Sequence, residues 1–204
     1  MVLFAFVTPH LINAGALLFG LGTAGAMRRA LGAFWTLPPF ALILYGAMIL
    51  HPALALKRLA RRRTWRMPAV EATQVALGLL IPYWMMRHVV AMRGTEAVTG
   101  IVTSYHDLMT AFNSPLGVEQ AALVLVVWVH GCIGLGTAMR IRPWFRRWRY
   151  GLLGFAVFVP CFALAGLIAA IREVAATGAV YTPNVARDEA YLHLHALGQA
   201  VVFA

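Results

Sequence analysis

Five apolar runs, at about residues 2–20, 37–56, 68–92, 119–138 and 150–171, limit most strongly what this chain can fold into. About 20 apolar residues in a helix cross a hydrocarbon core. Lipid offers backbone N–H and C=O groups no partner, so each run must satisfy them internally, as a helix does. The expected fold is therefore all-α, a polytopic membrane helical bundle. Composition agrees, since 61% apolar and 12% charged residues leave too little polar surface to coat a soluble globule of 204 residues. A sixth segment, 189–204, amounts to about 24 Å of helix and falls short of a core of about 30 Å, so it reads as a truncated sixth helix. Met1 also opens directly into an apolar stretch. The expectation is a single transmembrane domain, 1–204, belonging to a longer protein. The first run has no basic region before it and no small-residue cleavage site after it, so it reads as a retained span.

The formal net charge of +10 is organised as a topology signal. Lys57, Arg58, Arg61, Arg62, Arg63 and Arg66 follow the second run, and Arg140, Arg142, Arg146, Arg147 and Arg149 follow the fourth, making 11 of 17 basic residues. Basic residues in short loops stay in the cytoplasm. Both loops and the N-terminus are thus expected there, in a bacterial inner membrane, and no nucleic-acid partner is expected. Residues 21–36, 93–118 and 172–188 then face outward with Glu96, Asp107, Glu173 and Asp188. Trp144 and Trp148 suit an interfacial aromatic belt. Cys132 and Cys161 sit inside apolar runs and read as packing residues.

Four of the seven histidines, His10, His51, His88 and His130, fall one on each of the first four runs. A coordinating side chain inside a bilayer is costly and functional by default. One such histidine reads as a hydrogen-bonded packing residue, but four on consecutive helices do not. At 1.5 Å per residue, His51 lies about 9 Å and His130 about 15 Å from the cytoplasmic edge, while His10 and His88 lie toward the outer half. First and third helices are diagonal in an up-down bundle, as are second and fourth. Depth and diagonal position therefore pair His51 with His130 and His10 with His88. Two imidazoles fill both axial positions of a b-type haem. Small residues beside His130, Gly131, Gly134 and Gly136, and Gly46 and Gly15 near the others, leave room for a macrocycle or serve plain helix packing. Arg87 and Arg93 at the outer end, and Lys57, Arg58 or Arg140 at the inner end, are candidates to meet haem propionates. Snorkelling is the other reading of each. His193 or His195 could replace His10 opposite His88. Tyr105, His106 and Asp107 either sit at the interface or line a site for a quinone headgroup.

The strings VLFAFVTPHLIN, YGAMILHPALAL, EATQVALGLLIPYWMMRHVV and LVVWVHGCIGLGTAMRIRPWFRRW resemble the dihaem b membrane anchor fused to some bacterial class III adenylate cyclases. That anchor is itself similar to the cytochrome b anchor of succinate:quinone oxidoreductases. The resemblance runs over nearly the whole chain and is most specific around His130. It implies two haems b held by His10, His51, His88 and His130, a response to quinone and quinol, and control of a fused cytoplasmic cyclase that makes cAMP from ATP. It also implies a homodimer and, in some relatives, an intervening 2Fe-2S domain absent from this chain. Relatives often carry further histidines where this chain has Ala14 and Gly136.

Three functions stay open on the sequence: a quinone redox sensor, a cytochrome b electron-transfer subunit of a quinone oxidoreductase, and a non-redox membrane anchor whose histidines only pack. The chain holds no nucleophile constellation, phosphate loop or paired-carboxylate site, so no catalytic residue is assigned to it.

Overall fold

The computed structural model describes residues 1–182 and 184–203. Among these, 85% are helical and none lies in a strand. The helices are α1 (Val2–Gly15, continued by a tight turn Ala16–Phe19), α2 (Leu21–Trp35), α3 (Pro38–Ala60) and α4 (Ala69–Val89). They continue with α5 (Thr95–Thr99), α6 (Tyr105–Phe112), α7 (Pro115–Met139), α8 (Pro143–Arg147), α9 (Arg149–Ala176) and α10 (Val185–Phe203). A widened π turn, Val90–Gly94, joins α4 to α5 as one rod.

Five of these rods are long and apolar enough to cross a membrane: Val2–Phe19, Pro38–Ala60, Ala69–Thr99, Pro115–Met139 and Arg149–Ala176. The expected sixth span forms a helix, α10, but does not reach that standard among the described residues. Arg187, Asp188 and Glu189 in its first turns, with His193, His195 and Gln199 further on, dilute its apolar character. Ala204, the last residue of that expected span, lies outside the described residues.

Local chemistry sets the boundaries. Pro38 and Pro115 open α3 and α7, where a missing N–H costs nothing. The Ser114 hydroxyl accepts from the Leu116 N–H, and Ser104 accepts from the Asp107 N–H to start α6. Gly20, at φ 101°, turns the chain between α1 and α2 in a conformation that L side chains avoid. Pro9, Pro52, Pro82 and Pro160 lie inside four of the five spans. Each removes one donor from its ladder. Pro160 frees the Ala156 carbonyl, which the Trp128 indole fills at 2.6 Å, tying α7 to α9.

The tightest helix pairs are α1 with α9 and α4 with α7. A Cβ at Gly166 would meet the Ala14 carbonyl oxygen and Gly15, so α1 and α9 touch backbone to backbone. Leu11, Trp128, Val159 and Ala163 form one buried cluster at this seam. A second, of Ala16, Leu17, Ala24, Met109, Ala170 and Val174, binds α2 and α6 to the C-terminal ends of α1 and α9. Segment 21–36, expected as an outward-facing loop, is thus mostly helix, and α2 doubles back along α1 until Trp35 lies edge-on to Phe6, ring centres 5.3 Å apart. In contrast, α4 has no buried residue and α3 has only Leu44. The diagonal pairs, α1 with α4 and α3 with α7, are not closely packed.

Candidate metal centres

Histidines pair across the bundle in two layers. In the layer toward the Gly20 turn (hereafter outer, a label of position only), the His10 ring on α1 and the His88 ring on α4 lie 5.8 Å apart, nearly perpendicular at 81°. In the layer toward the loop after α3 (hereafter inner), His51 on α3 and His130 on α7 lie 6.0 Å apart at 78°. On α7, Gln120, which meets His88, precedes His130 by ten residues, so the layers are separated by about 15 Å along the helix. The ring nearest His88 is that of His10, while His195 stacks on Tyr191 and His193 is exposed.

The protonated nitrogen of one histidine can be assigned in each layer. His130 Nδ1 lies 2.9 Å from the Gln74 backbone carbonyl, which can only accept, so Nδ1 carries the proton and Nε2 keeps its lone pair. His88 Nδ1 stands 3.0 Å from Gln120 Oε1 and donates to it in the same way. Such a bond from the second nitrogen fixes tautomer and ring orientation in metal-ligating histidines. Gly78, one turn after Gln74, completes the seat, since a Cβ there would come 2.9 Å from His130 Cε1. Beside the outer layer, Phe6 stacks on His10 with ring centres 5.5 Å apart.

The residues present fit a metal held between two imidazoles. With each nitrogen about 2.0–2.1 Å from one ion on opposite sides, two ring centres fall about 6 Å apart. His10 and His51 are exposed and His88 and His130 half-buried. No group of three or more His, Cys, Asp or Glu that could hold an ion stands among the described residues, so each layer offers two ligands only.

The arginines divide. Arg87 donates to Glu119 Oε2 at 2.7 Å, one residue from the His88–Gln120 contact, and so joins α4 to α7 at the outer layer. Arg93 pairs with Glu96 at 2.9 Å on its own rod. Arg58 and Arg140 are exposed at the inner ends of α3 and α7. Gln74, Gln120, Glu119 and Asn13 went unremarked in the sequence. Each is a polar side chain inside an apolar run, the same signal that singled out the histidines.

Beyond the outer layer, Tyr105 meets Asn13 and Arg28. Asn13 Nδ2 donates to the Tyr105 hydroxyl at 2.5 Å, and the Arg28 guanidinium lies over the Tyr105 ring at 4.8 Å while donating to the Thr103 carbonyl at 2.6 Å. Burial pushes the Tyr105 phenol up, against Arg28 and Asn13, which pull it down. It remains a protonated donor.

Together these features define a multi-pass α-helical membrane protein with two cross-bundle histidine pairs. No known family matches the chain, nor does any curated protein or solved structure.

Proposed function

We propose that the chain is a membrane-embedded dihaem b domain that exchanges electrons with the quinone pool. The observation that carries this reading is the pair of two-histidine layers, each with ring centres about 6 Å apart and one histidine held through Nδ1. Haem b would supply a one-electron couple in each layer. His10 and His88 would hold the outer group, and His51 and His130 the inner one, and two imidazoles apiece would favour electron transfer over oxygen binding. Gln120 and the Gln74 carbonyl orient the imidazoles. Two histidines per layer suit a macrocycle that brings four nitrogens of its own better than a bare ion, which would want more than two protein ligands.

Propionates carry charge that must be met near an interface. Arg58 and Arg140 are free to turn toward an inner group, and Arg87 and Arg93 stand at the outer end. The orientation proposed is N-terminus in the cytoplasm of a bacterial inner membrane, with the basic loops after α3 and α7 held inside.

By resemblance, the domain reports quinone redox state to a fused cytoplasmic cyclase that makes cAMP from ATP, as part of a homodimer. The direct test of the haem reading is optical. Purified protein is expected to show a six-coordinate low-spin haem b spectrum, and His51→Ala or His88→Ala to lose about one haem per chain. A colourless protein would overturn the reading.

A further inference from the structure

We propose that the end of the bundle formed by the loops after α3 and α7 is a binding surface for anionic phospholipid headgroups, with its seat in the groove between the end of α3 and Trp65. The inference stands apart from the haem reading and is expected of a colourless protein as well.

The two loops share one end of the molecule because α4 and α7 run antiparallel. Gln74, near the start of α4, lies beside Gly134 near the end of α7, while His88 meets Gln120 at the other ends of the same helices. Of the 11 basic residues in the two loops, Arg62 alone has a carboxylate partner among the described residues, Glu71. Glu96, Asp107 and Glu119, the other carboxylates in ion pairs, stand at the opposite end of the bundle. Topology requires such basic charge only in sum, but once folded the same charge attracts anions.

What lies between the cations decides which anion. Trp65, Trp144 and Trp148 are interleaved with them and exposed. An indole prefers the headgroup level of a bilayer, so these rings hold the neighbouring guanidinium groups at the depth of lipid phosphates. The apolar rods Pro38–Ala60 and Pro115–Met139 end at the same level, which makes lipid the nearest source of phosphate, ahead of any soluble polyanion. Zwitterionic headgroups carry their own ammonium, so the surface selects those with net negative charge.

The groove measures about 440 Å³ and is lined by Leu56, Leu59 and Ala60 of α3 and by Arg62 and Trp65 of the loop. Its apolar side suits the upper part of an acyl chain. Arg62 donates to Glu71 and, through Nε, to the Thr64 carbonyl at 3.3 Å, which pins the loop to α4. Arg61, Arg63 and Arg66 of the pinned loop stay exposed, with no carboxylate partner among the described residues. A loop already held in place loses little freedom on binding, and each guanidinium offers two parallel N–H groups to one phosphate.

The test is native mass spectrometry of the full chain in neutral detergent, titrated with phosphatidylglycerol and, separately, with phosphatidylcholine of the same acyl chains. Phosphatidylglycerol is expected to bind about tenfold more tightly. One basic residue beside an anionic headgroup is worth roughly fivefold in affinity, so Arg61→Gln combined with Arg63→Gln is expected to remove most of that preference. Arg29→Gln combined with Arg172→Gln makes the same charge change on α2 and α9, away from both loops, and is expected to keep the preference. All four side chains are exposed, so neither variant disturbs the core. A diazirine-bearing phosphatidylglycerol is expected to label residues 56–66. Equal binding of the two lipids, equal loss of preference in both variants, or label outside the two loops overturns the proposal. Displacement of the lipid by excess inorganic phosphate also overturns it, in favour of a free-anion site.

Discussion

Four histidines carry the proposed function, and two of them, His130 and His88, are each held by one neighbouring oxygen. The Gln74 carbonyl and Gln120 Oε1 each take an Nδ1 proton and leave the Nε2 lone pair outside that bond. Hydrogen-bond partners of metal-ligating histidines are worth about 10–100-fold in metal affinity. Gln120→Leu is therefore expected to lower retention of the outer haem about tenfold and leave the inner one in place, as measured by haem content after dialysis against apomyoglobin. Gly78→Ala places a methyl group 2.9 Å from His130 Cε1, so the ring must move. Selective loss of the inner haem, with helical circular dichroism unchanged, is the expected outcome. Equal loss from both layers would contradict the assignment. The histidines were legible in the sequence because a coordinating residue in an apolar run is conspicuous. Their partners were less so: the Gln74 contribution is a backbone carbonyl, and the Asn13–Tyr105 bond joins residues 92 positions apart.

Among the elements, the spans were the most legible part, because length and apolar character are properties of the residues alone. What packing decides was not. The segment LGTAGAMRRALGAFW has neither span length nor a clear apolar stripe, yet α2 folds back on α1 because Ala24 and the Ala16–Leu17 turn bury each other. The π turn at Val90–Gly94 lies in an ordinary helical sequence and marks where α10 comes close, with Leu194 near Gly94. The α1–α9 seam makes a specific prediction. Gly166→Val drives a branched side chain into the Ala14 carbonyl and is expected to destabilise the bundle by about 3 kcal/mol, the upper range for overpacking. Thermal unfolding in detergent reads this directly. Trp128→Phe keeps the ring but leaves the Ala156 carbonyl freed by Pro160 without its donor. The expected cost is about 1–3 kcal/mol by the same measurement.

At the scale of the whole molecule, helices that pack tightly in pairs, α1 with α9 and α4 with α7, carry histidines that meet between α1 and α4 and between α3 and α7. The two layers stand about 15 Å apart along α7, toward opposite faces of the bundle. On the proposed function, that arrangement would suit passage of electrons from one face of the bundle to the other. If the fused output is a cyclase, cAMP synthesis by the full-length protein in proteoliposomes is expected to change when the quinone pool is shifted from oxidised to reduced. His10→Ala is expected to abolish the change and leave basal synthesis intact.

The central claim is that each histidine pair holds one haem. Haem quantified per chain in the parent protein, in His10→Ala and in His51→Ala is its most direct test. The account predicts about two haems in the parent and about one in each variant, with the remaining haem low-spin and six-coordinate. A parent without haem, or variants that keep both, would contradict it.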